Sequence, residues 1–115
     1  MLPKAHRLKE RRDFRRVYQR GKSRAYPYFV LYQRSSGLSQ HRVGFSVSKK
    51  QGNAVTRNRL KRRFREACRL MPEAFSRGTD YIFIIRDAAK AASPAQLQKQ
   101  LRLALAQNAP PKRPA

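Results

Sequence analysis

The residues best suited to chemistry lie in one twelve-residue stretch, residues 55–66, which reads VTRNRLKRRFRE. It holds six cations, yet apolar residues recur at helical spacing. From Arg57 to Arg69, seven cations accompany a single acid, Glu66, and six of the seven are arginine. A guanidinium is a planar fork that grips phosphate through two hydrogen bonds and stacks on bases. The stretch therefore indicates anion binding and favours nucleic acid as the anion.

A helical wheel separates this stretch into two faces, at ~100° per residue. The apolar face is predicted to be core and holds Leu60, Phe64, Ala67, Cys68 and Met71. The basic face holds Asn58, Arg62, Arg65 and Arg69, with Lys61 beside it. A merely solvated face usually mixes charges of both signs, which this one does not. A membrane-surface helix needs a broad apolar face open to lipid, and the narrow face here is needed for a core.

The composition of the whole chain also predicts a polyanionic partner. Its 115 residues carry 28 Lys and Arg against 6 Asp and Glu, for a net charge of +22. Such repulsion opposes a compact state unless an anion neutralises it. A hydrophobic content of 40% is nevertheless too high for a disordered basic tail. No stretch approaches the ~20 apolar residues of a membrane span, and residues 1–14 lack the apolar segment of a signal peptide. We expect a cytoplasmic protein without membrane contact.

Patterning along the chain predicts the order α-β-β-α-β-α. A basic extended arm (1–8) precedes a helix (9–20) with Phe14, Val17 and Tyr18 on one face, which Gly21 ends. A strand (25–34) follows, and Pro27 leaves open that this strand is split. The remaining predicted elements are a strand at 42–50, the basic helix from Asn53 to about Leu70, a buried strand at 80–86, a last helix capped by Ser93, and a disordered basic tail at 109–115.

The strand at 42–50 has two unlike faces. Apolar Val43, Phe45 and Val47 alternate with the small residues at positions 44, 46 and 48. The small polar face, which includes Ser46 and Ser48, would let a nucleic-acid backbone approach the sheet. On periodicity alone, Phe14 and Tyr18 remain open to an ordinary core role.

No constellation of side chains predicts a self-sufficient nuclease. The six acids are scattered and no pair has the spacing of a two-metal site. His6 and His41 have no evident acidic partner and are predicted to lie at the surface. Cys68 falls on the core face of the basic helix, and one thiol forms neither an intramolecular disulfide nor a zinc site. A non-enzymatic RNA-binding protein, such as a ribosomal protein or an RNA chaperone, is the alternative.

The segment GNAVTRNRLKRRFRE (52–66) resembles the Arg-Asn-Arg signature of the bacterial ribonuclease P protein component family. Its flanks resemble the same family in the same order: RLKERRDFRRVYQRGKS (7–23), YFVLY (28–32), RVGFSVSKKQGNAV (42–55) and DYIFIIR (80–86). The resemblance covers most of residues 7–107. Joined to Val-Ser-Lys-Lys, the Arg-Asn-Arg block is far more specific than an isolated Arg-Asn-Arg.

The resemblance implies an α+β fold and a function. The fold would be a single-domain α-β sandwich over residues 1–108, like the second domain of ribosomal protein S5, with a left-handed β-α-β crossover. The chain would be a subunit of an endoribonuclease, ribonuclease P, and would assist removal of the 5′ leader of precursor tRNA. The partner RNA and its Mg²⁺ would carry the chemistry, with no cofactor or catalytic residue on this chain and no obligatory protein partner.

The resemblance also implies two binding surfaces. Catalytic-RNA contacts are expected at Arg57, Asn58, Arg59, Lys61, Arg62 and Arg65, and the basic stripe adds Arg69. Leader contacts are expected at Phe14, Tyr18, Tyr32, Lys49 and Lys50, and the small strand face adds Ser46 and Ser48. Some members have an aromatic residue near the C-terminus that also approaches the leader. The tail here, APPKRPA, has none.

Overall fold

A computed structural model describes residues 3–108. Three helices and four strands occur in the order α1 (Arg11–Arg20), β1 (Lys22–Ala25), β2 (Phe29–Ser35), β3 (Arg42–Ser46), α2 (Ala54–Arg69), β4 (Thr79–Ile85) and α3 (Pro94–Gln107). Short 3₁₀ turns lie at Lys4–His6, Lys49–Gln51, Pro72–Ala74 and Asp87–Ala91. The tail predicted at 109–115 lies outside the described residues.

The four strands form one sheet in the order β1-β2-β4-β3. β3 and β4 are parallel with α2 between them, whereas β1–β2 and β2–β4 are antiparallel. The α+β class and the β-α-β connection are therefore confirmed, and the left hand of that connection stays a prediction. The first predicted strand is split into β1 and β2, which is the alternative that Pro27 left open. Pro27 has no N–H for a ladder, and the chain turns there so that Ala25 pairs with Val30.

Helices cover both faces of the sheet. On β4, Tyr81, Phe83 and Ile85 pack in the larger core under α2 and α3, whereas Ile82 and Ile84 pack with residues of α1. β4 is thus buried on both sides, as its apolar run predicts. The predicted caps of the two longer helices are also present. Asn53 Oδ1 accepts from Thr56 N–H at 2.9 Å, and Ser93 forms a reciprocal capping box with Gln96.

The described part of the predicted N-terminal arm docks on β3. Leu8 N–H donates to Val43 O at 2.9 Å, and the Leu8 side chain is buried. The ring of His6 stacks on that of His41 at 4.1 Å, and His41 stacks on Phe75 at 4.8 Å. The surface position predicted for His41 is wrong, because its side chain is buried with only 7% of its surface exposed. β3 is an edge strand, and the arm supplies partners for part of its outer edge.

The strand predicted at 42–50 is shorter than expected, since β3 ends at Ser46. The residues that follow form the 3₁₀ turn Lys49–Gln51, which leads into α2 through Gly52. The alternation within β3 is as predicted. Val43 and Phe45 pack with the larger core, and Gly44 lies against the ring of Phe14 on the α1 side.

Candidate nucleic-acid interface

The basic helix α2 is anchored on one side and open on the other. All five residues of its predicted apolar face are buried: Leu60, Phe64, Ala67, Cys68 and Met71. The stripe at the opposite side is exposed, and comprises Asn58, Arg62, Arg65 and Arg69. Arg59 is also exposed, whereas Arg57 and Lys61 are half-buried. The helix therefore presents cationic side chains along its length, held in place by apolar packing beneath them.

Three members of the basic set have distinct surroundings. Arg69 is bound to Glu66 one turn back, with Nε donating to Oε2 at 3.0 Å on the exposed surface. Arg57 has its Nε buried with no hydrogen-bond partner among residues 3–108, so one strong donor is unsatisfied at the start of α2. Arg65 lines a cleft beside β3. The set is therefore not uniform, and its exposed centre at Arg62 and Arg65 is the part most open to a partner.

Arg63 is the cation of α2 whose role the sequence did not reveal. Its guanidinium donates to the carbonyl oxygens of Ala89 at 3.2 Å and Lys90 at 3.4 Å, and also to that of Ala92. These carbonyls belong to the 3₁₀ turn Asp87–Ala91 and the residue after it. Arg63 therefore ties α2 to the segment that follows β4. The partners lie 26 to 29 residues away, so no local pattern signals this contact.

The predicted aromatic residues meet on the opposite face of the sheet. The ring centroids of Phe14 and Tyr18 are 6.3 Å apart, and those of Tyr18 and Tyr32 are 5.0 Å apart, edge to face. Tyr18 is 38% exposed, so part of its ring is accessible. Burial raises the pKa of the Tyr18 hydroxyl, and a hydrogen bond with Ser46 partly opposes this. The hydroxyl thus stays neutral at physiological pH.

Gly44 sets the depth of this aromatic cleft. A Cβ at this position would lie 2.5 Å from Phe14 Cζ and 3.2 Å from Leu8 Cβ. Any larger residue would push the Phe14 ring away from the sheet. Phe14 itself is half-buried and packs with the smaller core of Leu8, Val17 and Ile82. Phe14 therefore packs in the core on one side and lines the cleft on the other, so both roles considered in the sequence analysis apply.

The two predicted leader-side lysines lie just beyond the end of β3. Ser48, Lys49 and Lys50 are all exposed, with both lysines in the 3₁₀ turn Lys49–Gln51. Gln51 anchors this turn. Its amide nitrogen donates to Asp87 Oδ1 at 3.0 Å, and its oxygen accepts from Asp87 N–H at 3.2 Å. The turn is therefore held by the same 3₁₀ segment that Arg63 binds.

A cleft at the edge of β3 connects the two surfaces. It has a volume of about 430 Å³, and Lys61 and Arg65 of α2 line it together with Phe14 of α1. Arg7 of the arm and Lys9, which precedes α1, also line it. The structure therefore brings one residue of the predicted leader set next to two of the predicted catalytic-RNA set, around one strand edge.

Other reactive groups lie away from these surfaces. Cys68 is 1% exposed, and burial raises the pKa of its thiol. Among residues 3–108, no group of three or more His, Cys, Asp or Glu side chains could hold a metal ion. Within the same residues, no helix is long and apolar enough to span a membrane. The accessible chemistry of the described surface is that of cations and aromatic rings.

A family model described as Ribonuclease P matches residues 2–108 of this sequence, which is nearly its whole length. The chain belongs to the ribonuclease P protein family. Its relatives include the ribonuclease P protein component of Staphylococcus haemolyticus, 44% identical over 100 residues that make up 87% of each chain. Another relative is that of Clostridioides difficile, 44% identical over 96 residues, or 83% of this chain and 84% of that one.

Solved structures of the family agree with the fold. The Staphylococcus aureus RNase P protein superposes with a TM-score of 0.79 at 38% identity, covering 92% of this chain and 97% of that one. The RNase P protein of Thermotoga maritima superposes with a TM-score of 0.80 at 32% identity, covering 88% and 96%. The chain is thus a ribonuclease P protein subunit, and the alternative of a ribosomal protein or RNA chaperone is not favoured. The individual contact residues on α2 and in the aromatic cleft stay predictions.

Proposed function

We propose that this chain holds two RNAs at once in ribonuclease P. The basic helix α2 binds the catalytic RNA, and the cleft under α1 binds the 5′ leader of precursor tRNA. The observation that carries the proposal is the placement of two unlike surfaces on opposite faces of one sheet: cations on α2, and the rings of Phe14, Tyr18 and Tyr32 under α1. A cytoplasmic location is part of the same proposal.

Each surface suits its RNA. A cationic face binds a folded RNA through its phosphates, with an affinity that falls steeply with salt. Aromatic rings bind single strands by stacking, at ~1–3 kcal/mol per base and with little sequence preference. A leader is single-stranded and varies in sequence, so stacking on Tyr18 and Tyr32 suits it. Ser46 is the small residue of β3 beside Tyr18 and leaves room there for a close backbone, whereas Gly44 is covered by the Phe14 ring.

Cleavage of the phosphodiester bond is assigned to the RNA partner, with Mg²⁺ bound there. Five of the six acids of this chain have a basic partner, which supports that division. Asp13 and Asp80 bind Arg42, and three further acids each have a basic partner: Glu66 with Arg69, Glu73 with Arg102 and Asp87 with Lys90. Carboxylates engaged in this way do not form the paired site that a two-metal nuclease needs. This chain binds and orients the RNAs, and we assign it neither a cofactor nor an obligatory protein partner.

The proposal is tested by reconstitution with the RNA subunit of a bacterial ribonuclease P. The wild-type chain should stimulate cleavage of precursor tRNA at low Mg²⁺ concentration. Phe14→Leu keeps apolar packing but removes the ring, so it should weaken binding of precursor tRNA far more than of mature tRNA. Equal losses for both substrates would place Phe14 in the core alone. An absence of stimulation by the wild-type chain would refute the subunit role.

A further inference from the structure

Helix α1 is as rich in arginine as α2, and the proposed function uses none of these cations. Five of its ten residues are arginine, and its one acid is Asp13. Arg12 and Arg16 lie one turn apart on the same side of α1. Both line a concavity of about 200 Å³ that Arg34 of β2 also lines. Three guanidinium groups from two elements therefore converge on one small space.

The acids of this concavity are already engaged by a fourth arginine. Arg42 donates from Nε to Asp80 Oδ1 at 2.8 Å and from Nη2 to Asp80 Oδ2 at 2.7 Å. Its third nitrogen, Nη1, lies 3.3 Å from Asp13 Oδ2. Asp80 is 2% exposed, so this network is fixed in the fold. Arg34 lies directly across from Asp80 in the β2–β4 register, but both carboxylate oxygens of Asp80 bind Arg42.

Arg12, Arg16 and Arg34 are left without a carboxylate partner among residues 3–108. Like charges brought together in this way oppose folding unless an anion joins them. A phosphate offers several acceptor oxygens, and guanidinium forks bind it through paired charge-assisted hydrogen bonds. We propose that this concavity binds a backbone phosphate of RNA through Arg12, Arg16 and Arg34.

The position of Arg34 indicates which RNA supplies the phosphate. Side chains two residues apart on a strand point to the same face, about 7 Å apart along the strand. Arg34 therefore follows Tyr32 on the α1 side of the sheet, where Tyr32 packs against Tyr18. A single-stranded RNA with one base stacked on Tyr32 would place a neighbouring phosphate near Arg34. The phosphate is accordingly assigned to the precursor leader, an assignment that rests on the proposed function.

The first test uses inorganic phosphate as the probe and does not depend on ribonuclease P activity. Thermal unfolding is followed as phosphate is added to wild type, to the double variant R12Q/R34Q and to K99Q. Lys99 is an exposed residue of α3, and K99Q shows the effect of losing one positive charge outside the concavity. In phosphate-free buffer R12Q/R34Q should unfold at the wild-type temperature or above it, because repulsion is relieved. The phosphate concentration giving half of the stabilisation should rise about tenfold in R12Q/R34Q but not in K99Q. Equal phosphate responses in all three proteins would overturn the site.

The second test uses the reconstituted holoenzyme. R12Q/R34Q should bind precursor tRNA about tenfold more weakly than wild type, with mature tRNA unchanged. The slope of log affinity against log salt should fall by about 0.7, the value for one phosphate of a single strand that is no longer neutralised. A loss of RNA-subunit assembly with the precursor-to-mature ratio unchanged would overturn the leader assignment. If wild type stimulates cleavage and R12Q/R34Q binds precursor tRNA as tightly as wild type does, only the phosphate site is refuted. If wild type does not stimulate cleavage, the proposed function itself is refuted.

Discussion

Arg62 and Arg63 are adjacent in the chain, but their guanidinium groups have opposite surroundings. Arg62 is exposed, whereas Arg63 donates to three backbone carbonyls after β4. Arg63→Gln should lower the free energy of unfolding by ~1–3 kcal/mol, because it leaves those carbonyls without a charged donor. Arg62→Gln should leave stability within ~0.5 kcal/mol of wild type. Urea unfolding of the two variants measures the difference.

The same two variants should show the reverse order in RNA binding. Arg62→Gln should reduce the salt slope of catalytic-RNA affinity by about one unit, as expected when one phosphate is no longer neutralised. Arg63→Gln should leave the slope unchanged. A slope that falls equally in both variants would show that Arg63 contacts the RNA and would contradict its structural role.

His41 gives the fold a defined pH dependence. Burial is the main cause that lowers the pKa of His41 from 6.5 to about 4, and repulsion from the nearby His6 is the second. Between these values the unfolded chain binds a proton that the folded chain excludes. Stability conferred by neutral His41 is therefore complete above pH 6.5 and is lost as pH falls towards 4, by ~1.4 kcal/mol per unit.

This dependence can be isolated with His41→Phe, which keeps a ring between His6 and Phe75 but cannot titrate. Urea midpoints at pH 6.5 and pH 4.5 should differ less for the variant than for wild type. Identical pH dependence in the two proteins would mean that the pKa of His41 is the same in the folded and the unfolded chain.

Among the elements, β3 and α1 depend on each other through Gly44. Gly44→Ala would place a Cβ 2.5 Å from Phe14 Cζ, so the Phe14 ring must move away from the sheet. We expect ~1–3 kcal/mol of destabilisation from this overpacking and a selective loss of precursor tRNA affinity. The double variant Gly44→Ala/Phe14→Leu should regain stability without regaining precursor affinity. Additive stability losses would show that the two residues are uncoupled.

Local sequence patterns predict those features that depend on residues close together in the chain. The two faces of α2, its Asn53 cap and the Ser93 capping box depend on residues within a turn or two of one another. The contacts that the sequence does not reveal join distant segments: the arm on β3, His41 on Phe75, and Arg63 on the turn after β4. Periodicity marks an apolar face but does not name the strand or carbonyl that meets it.

The candidate site likewise has parts that the sequence predicts and parts that only the structure reveals. The exposed stripe of α2 follows from charge and helical spacing, so it could be located without a structure. The cleft required the resemblance, because half-buried aromatics such as Phe14 look like core in a sequence. The arginine cluster of Arg12, Arg16 and Arg34 was not predicted, since it depends on Arg42 taking both nearby acids.

At the scale of the whole molecule, the net charge of +22 should make stability depend on anions. Sulfate should raise the unfolding temperature more than sodium chloride at equal ionic strength, because bound anions add to simple screening. The excess effect of sulfate should shrink in the α2 variant Arg62→Gln/Arg65→Gln. Circular dichroism on heating measures both. Equal effects of the two salts would show that screening alone acts.

The two edges of the sheet bear on aggregation. A free strand edge is a template for pairing with another chain. β1 is only four residues long, carries Lys22 and Arg24, and is followed by Pro27. The other edge, β3, is partly covered by Arg7 and Leu8, and the cations of the adjoining cleft would repel a second copy of this chain. The charge that attracts RNA thus also discourages self-association before RNA is bound.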